Sequence, residues 1–237
     1  MSVQIHVWSD YVCPFCLIAD ELLERALSDR PDVKVVHRPF ELRPHPTPTL
    51  RPEDPYLPGI WQIGVYPMAR RYEVPLSLPS ISPQPYTELA FRGAQYAAGQ
   101  GLAQAYHRRM LTAFFRENLD IGDRAVLARL AGEIGLDRAA YTAALDDQEY
   151  ADRHRHALAV SARAGITVVP TIIVAPRRTK GLATRRIEGA PRRAGRVPHR
   201  REAGGVPRRR VEGGARRIEG VASEGVIRRA LAEAAAA

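Results

Sequence analysis

Cysteine is nearly missing from this sequence: 237 residues contain two, Cys13 and Cys16, three positions apart. That scarcity excludes a disulfide-stapled secreted scaffold, which is dense in cysteine. Long apolar runs are missing as well, and no stretch approaches the roughly 18 residues that span a bilayer. The opening "MSVQIHVWSDYV" has neither a positively charged n-region nor a long apolar h-region. It does not read as a secretory signal, so the expected location is the cytoplasm, with no membrane partner. Glutathione keeps most thiols reduced there, which makes a structural disulfide a poor default.

Aromatic residues are absent from one long stretch, and that absence bears on the charge. The chain carries a formal +9, which by itself suggests a nucleic-acid binder. Residues 177–217, however, hold 14 Arg and one Lys against three Glu, a net of +12, while the rest of the chain nets −3. The basic character belongs to one segment, and any argument for anion binding concerns that segment alone. Without Phe, Tyr or Trp it has no platform for base stacking. A solvated loop is the favoured reading and nucleic acid is not an expected partner. The competing reading, phosphate binding through arginine, predicts strong salt dependence.

What is present reads as alternating strands and helices. "VQIHVW" (Val3–Trp8) is rich in β-branched residues and nearly alternates, which predicts a strand. After "SDY", Leu17, Ile18, Leu22, Leu23, Ala26 and Leu27 form an apolar stripe at helical spacing, with Pro14 where a first-turn proline is tolerated. "DVKVVHRPFEL" predicts a second strand over Val33–Phe40. Strand, helix and strand in about 40 residues make a βαβ unit with a parallel pair. Residues 43–85 are proline-rich and read as irregular, packed down by Trp61. Five helical segments follow, with Gly135 and Gly165 as stops and an Asp opening the "GDRAVLARLAGEIG" segment. "ITVVPTIIVAP" returns to strand character around Pro170, and Ser223 is a plausible N-cap for a terminal helix. In between, "RRIEGA", "RRVEGG" and "RRIEGV" nearly repeat. The segment cannot bury enough apolar surface to offset ordering, so it is expected to be mobile, apart from a strand over Arg217–Val221.

The cysteine pair sits behind a strand and opens a helix. A sulfur at a helix N-terminus meets unpaired N–H groups and the positive end of the macrodipole, which favour the thiolate. The second sulfur lies one turn inward, close enough to close a disulfide on the first. Cys13 would then attack a substrate disulfide and Cys16 would resolve the mixed disulfide; run backwards, the pair oxidises a dithiol. Three other readings stand beside this one. A structural zinc site lacks a second cysteine pair, and the seven His form no cluster at finger spacing. A structural disulfide closing so short a loop contributes only about 2 kcal/mol. Two buried, inert thiols are the third.

"SDYVCPFC" with "VVPT" far downstream resembles the DsbA-like branch of the thioredoxin superfamily. "RPFELRP" and "DIGDRAVLARLAGEIGLDRAAYTAAL" resemble its FrnE-like members, cytoplasmic dithiol-disulfide isomerases. The resemblance implies an α/β, thioredoxin-like fold with a helical insertion between the second and third strands. Residues 1–42 and 166–237 would form the thioredoxin-like domain, carrying 177–215 as an Arg/Gly/Pro-rich loop insertion, and 43–165 the linker and helical insertion domain. It makes Cys13 the nucleophile and Cys16 the resolving thiol of a protein dithiol-disulfide oxidoreductase. No cofactor or metal is implied beyond the redox-active disulfide Cys13–Cys16. Pro170 matches the cis-proline, and Pro14, Phe15, Val169 and Pro170 would contact the substrate, Val169 through its backbone. Partners would be protein or peptide thiols and disulfides, with glutathione as a further one. Two features depart from the pattern. Phe15 stands where many relatives have Trp, or His in the periplasmic oxidant; it cannot donate a hydrogen bond to the thiolate, so a less oxidising pair is expected. The arginine-rich segment stands where relatives turn directly into the fourth strand.

A glutathione-dependent isomerase of the hydroxychromene-carboxylate type shares the helical insertion, but commonly has Ser for the first cysteine. Among other residues, His6 reads as a face histidine, and Asp10 as either a modulator of Cys13 or a turn cap. Glu41 reads as a strand-end residue, with reach toward the redox pair as the competing reading, and "HRHA" (His154–Ala157) as a solvated helix face.

Overall fold

The structure, a computed structural model, describes residues 3–176, 209–210 and 215–236. The βαβ unit forms as the pattern predicts: β1 (Val3–Ser9), α1 (Pro14–Leu27) and β2 (Lys34–Pro39), with β1 and β2 parallel. The chain returns to the sheet in β3 (Thr171–Pro176), β4 (Arg209–Arg210) and β5 (Arg216–Glu219), and ends in α9 (Glu224–Ala235). Among the described residues the sheet order is β2-β1-β3-β5-β4, with every pairing beyond β1–β2 antiparallel.

The alternation in β1 divides the two faces of this sheet. Val3, Ile5 and Val7 point into a core with Leu17, Ile18 and Leu22 of α1, Ile172 of β3, and Ile227 and Leu231 of α9. Trp8 and Ile173 face the other way, against Ala164 and Ile166. The indole N–H of Trp8 donates to the Ser161 hydroxyl at 2.8 Å, and that hydroxyl donates to the carbonyl of Pro39 at 3.0 Å. The terminal helix is capped at Ser223 by position, though the hydroxyl makes no capping bond.

Between β2 and β3 lie α2 (Tyr56–Ile60), a π-helical turn (Trp61–Val65), α3 (Tyr66–Tyr72), α4 (Glu88–Gly99), α5 (Ala103–Phe115), α6 (Arg124–Glu133), α7 (Arg138–Asp146) and α8 (Gln148–Arg163). The fold is therefore the thioredoxin-like α/β class with its helical insertion. Asp123, Asp137 and Asp147 cap α6, α7 and α8 through their carboxylates, and Gly135 and Gly165 take the positive φ that stops a helix. The same hydrophobic cluster continues from the sheet through α1 into α4, α5 and α6.

Two expectations need correction. Residues 43–85 are not irregular throughout, because 56–72 are helical despite Pro58 and Pro67. Pro58 falls in the first turn of this run, where the missing N–H has no intrahelical partner to lose, and Pro67 directly follows the π-helical turn Trp61–Val65; Trp61 is fully buried, as expected. Within 177–215, Arg209 and Arg210 form a strand against β5. The rest of that segment, except Ala215, lies outside the described residues, and so do the readings of it as mobile or anion-binding. The strand expected over Arg217–Val221 is β5, which begins one residue earlier and ends two earlier. Its Arg217 guanidinium donates to the carbonyls of Ala164 and Gly165 at the end of α8, at 3.3 and 2.9 Å.

Candidate redox site

Strand register brings the site together. Trp8 of β1 pairs with Thr171 of β3, so the residues following β1 and those preceding β3 lie side by side. Ser9 pairs with Pro39, which adds the segment after β2. Three chain segments, 10–16, 40–42 and 168–170, thus meet at one end of the sheet although the sequence scatters them over 160 positions.

Cys13 is the N-cap of α1, with extended backbone angles and Pro14 following at the first helical position. The amide of Cys16 donates to the carbonyl of Cys13 at 2.9 Å, which folds the four-residue motif into the first helical turn. Both cysteines are free thiols and buried. The Cys13 thiol donates to the carbonyl oxygen of Val169 at 3.9 Å, across 156 residues of sequence. The Val169–Pro170 peptide bond is cis. All six residues singled out from sequence (Cys13, Pro14, Phe15, Cys16, Val169, Pro170) therefore belong to this junction.

The two thiols sit in different surroundings. Burial pushes the Cys16 thiol well above its ordinary value, and hydrogen bonding to the Cys13 thiol pushes it the same way, while a hydrogen bond from the Asp10 backbone opposes them. A buried thiol is disfavoured as thiolate because its charge loses water. The Phe15 ring is half-buried and faces the π-helical turn: a Cβ on Gly64 would stand 3.6 Å from its Cζ. On the segments that meet here are three exposed apolar side chains, Leu42 at 46%, Ile63 at 80% and Val168 at 44% exposure. One comes from each of the segment after β2, the π-helical turn and the cis-proline loop.

Asp10 settles as more than a turn cap. Its carboxylate accepts from the Leu42 amide at 2.7 Å and, weakly, from the Val12 amide at 3.5 Å. Its own carbonyl accepts from the Cys13 amide at 3.2 Å. Burial pushes its carboxyl up to about 7, against the pull of hydrogen bonds from Leu42, Thr87 and Val12. Glu41 does not reach the thiols; it pairs with His154, Nε2 to Oε1 at 2.5 Å, both buried. The reading of "HRHA" as a solvated face is accordingly wrong for His154, which lies inside with its ring stacked 5.6 Å from Phe91. The polar letters around it masked a helix face that turns toward β2. His6 is a face histidine, accepting from Arg38 at 3.4 Å.

The comparisons with known proteins agree with this geometry. The model of the DSBA-like thioredoxin domain matches residues 4–192. A curated relative, the uncharacterized protein YwbO of Bacillus subtilis (strain 168), is 44% identical over 176 residues, covering 73% of this chain and 88% of that protein. Among solved structures, a probable DsbA oxidoreductase from Streptomyces coelicolor shares the fold with a TM-score of 0.69 at 21% identity, over 99% of this chain and 90% of that one. The cytosolic disulfide reductase DsbM from Pseudomonas aeruginosa, also solved with GSH, gives 0.57 at 19% identity, over 72% and 83%. By sequence and by fold, the chain belongs to the DSBA-like thioredoxin domain family.

Proposed function

We propose that the chain is a cytoplasmic thiol–disulfide oxidoreductase of protein or peptide substrates, with Cys13 as nucleophile and Cys16 as resolving thiol. The observation that carries this reading is the Cys13 sulfur at the N-cap of α1, set against the carbonyl of Val169. Cys13 opens the helix, and the Val169 loop beside it offers backbone groups to a substrate chain. Cys13 thiolate attacks one sulfur of a substrate disulfide, forming a mixed disulfide and expelling the other sulfur as thiolate. Cys16, once deprotonated, attacks the Cys13 sulfur; the Cys13–Cys16 disulfide forms and the second substrate thiolate leaves. The pair loses two electrons and the substrate gains them. Reduced glutathione then restores the dithiol as it becomes glutathione disulfide, or the sequence runs in reverse to oxidise a substrate.

Resolution requires Cys16 to give up a proton that burial holds tightly. Asp10, whose carboxyl burial pushes up to about 7 and whose charge is felt by Cys16, is the residue we assign to take it. A catalytic base poised near the working pH is the effective arrangement. The exposed apolar residues Leu42, Ile63 and Val168 favour an extended peptide over a compact hydrophilic substrate. The resemblance of "RPFELRP" to FrnE-like members supports the same reading. The hydroxychromene-carboxylate isomerase reading is the weaker one, since it has no use for a second free thiol beside the first. The test is reduction of a disulfide-bonded protein by glutathione with and without this chain, beside a Cys13→Ser variant. Acceleration lost in the variant supports the reading, and equal rates refute it.

A further inference from the structure

One turn beyond Cys16, on the inward face of α1, is a buried carboxylate that the redox chemistry does not use. Asp20 meets His37 of β2 and His107 of α5, and one donor atom from each lies within 4.8 Å of the other two. The imidazoles of His37 and His107 stack, with centroids 3.7 Å apart and planes 17° from parallel. Nε2 of His107 stands 3.5 Å from Oδ1 of Asp20, yet without hydrogen-bond geometry. Among the described residues both ring nitrogens of His107 and Nδ1 of His37 lack any hydrogen-bond partner although they are buried. Leaving a buried polar atom unsatisfied costs about 1–3 kcal/mol, and here three such atoms belong to two rings beside one carboxylate.

We propose that Asp20, His37 and His107 form a binding site for one divalent first-row transition ion of the zinc type. Two imidazoles and one carboxylate match the nitrogen and oxygen donors such ions take, at bond lengths of about 2.0–2.2 Å. At those lengths neighbouring donors on one ion sit roughly 3.3 Å apart in a tetrahedral shell, so binding requires the donors to draw in and the two stacked rings to turn until both in-plane lone pairs meet the ion. A neighbour fixes the tautomer. Nε2 of His37 is 2.7 Å from Oε1 of Gln104; that oxygen only accepts, so Nε2 carries the proton and Nδ1 keeps its lone pair toward the cluster. Orientation of a ligating histidine by a hydrogen bond at its far nitrogen is the usual outer-shell arrangement at metal sites.

The surroundings suit a cation. Burial pushes His37 down to about 4 and His107 well below its usual value, with Arg108 acting the same way on His107. Both rings are therefore neutral, as ligands must be. Burial pushes the Asp20 carboxyl up to about 7, with Arg108 opposing and Glu24 and Glu21 adding negative charge nearby; a bound cation would hold Asp20 ionised, and the Arg108 guanidinium is itself engaged by Glu24. Tyr11 closes one side, its ring 5.5 Å from that of His107, while half-buried His37 and exposed Gln104 leave a way in from solvent. A bound ion would join α1 and β2 of the sheet unit to α5 of the insertion. The spacing 20, 37, 107 matches no sequence motif; only the fold assembles it.

The test uses the full-length, untagged chain with Cys13→Ser and Cys16→Ser, because thiolates bind zinc themselves, after stripping with a chelator. Zn²⁺ is titrated by calorimetry and Co²⁺ by visible absorption. The proposal expects one ion per chain, a thermal midpoint that rises with added Zn²⁺, and at least tenfold weaker binding in Asp20→Asn and in His37→Ala. Gln104→Ala should weaken it by roughly tenfold, as outer-shell losses do. His37 is only half-buried, so His37→Ala keeps the test open even if a change at Asp20 disturbs folding; circular dichroism checks both. Absence of a stoichiometric site in the parent, or unchanged affinity in folded His37→Ala, overturns the proposal.

Discussion

The Cys13 thiol donates to the carbonyl oxygen of Val169 at 3.9 Å, while Cys16, three residues on, is buried behind it. This asymmetry separates two sulfurs that the sequence presents as a symmetrical pair. Cys13 has the helix N-terminus and the cis-proline loop, whereas burial holds the proton on Cys16. An alkylating agent should consequently modify Cys13 first, by tenfold or more at pH 7, since the thiolate is the reactive form. Mass spectrometry of partly labelled protein checks this. Equal labelling of the two positions would contradict the assigned roles.

Ile63 is the most exposed of the large apolar side chains and adjoins Gly64, which packs against Phe15. Ile63→Asp should raise KM for a disulfide-bonded protein several-fold while leaving exchange with glutathione disulfide within twofold. Steady-state kinetics on the two substrates separates a docking role from a change in the thiols. Loss of both activities in parallel would argue against docking.

Asp10 makes stability depend on pH in a definite direction. Its carboxyl is raised from 3.8 to about 7 by burial. The folded state therefore binds a proton more tightly than the unfolded chain, and the resulting stabilisation is full below about pH 4 and lost as pH rises through 7. A shift of roughly three units corresponds to about 4 kcal/mol at most. Asp10→Asn does not titrate, so wild type minus variant stability should fall between pH 4 and pH 8. Denaturant melts at both pH values, with chelator present, measure it. A difference independent of pH would contradict the account. If Asp10 also accepts the Cys16 proton, the variant should lose the rise in turnover near pH 7.

Gly93 of α4 faces the hydroxyls of Tyr106 and Tyr141, which are hydrogen-bonded to each other at 2.6 Å. A Cβ there would fall 2.5 Å from the Tyr106 oxygen and closer still to that of Tyr141. Gly93→Ala should destabilise the fold by about 1–3 kcal/mol through overpacking, despite the better helix propensity of alanine. A thermal melt detects this, and a raised midpoint would show that the tyrosines give way freely.

Much of this was legible in the sequence, for physical reasons. The period-2 pattern of Val3, Ile5 and Val7 and the stripe of Leu17, Ile18, Leu22 and Leu23 place β1 and α1 within a residue or two, because each element buries one face. Cys13 and Cys16 stood out by rarity and spacing, and Val169 and Pro170 by resemblance. What escaped was polar and long-range. His154 looks solvated among Asp152, Arg153 and Arg155, yet its partner Glu41 lies 113 positions away. Asp20, His37 and His107 come from two helices and a strand, so their convergence is a property of the tertiary fold alone. The helices at 56–72 hide behind Pro58 and Pro67, which local composition reads as breakers.

The most direct test of the central claim is the reduction rate of a disulfide-bonded protein by glutathione in the presence of this chain, of Cys13→Ser and of Cys16→Ser. The account predicts acceleration by the wild type, none by Cys13→Ser, and a trapped mixed disulfide with Cys16→Ser visible as a covalent complex that dithiothreitol releases. A Cys13→Ser protein that accelerates reduction as well as the wild type would contradict it.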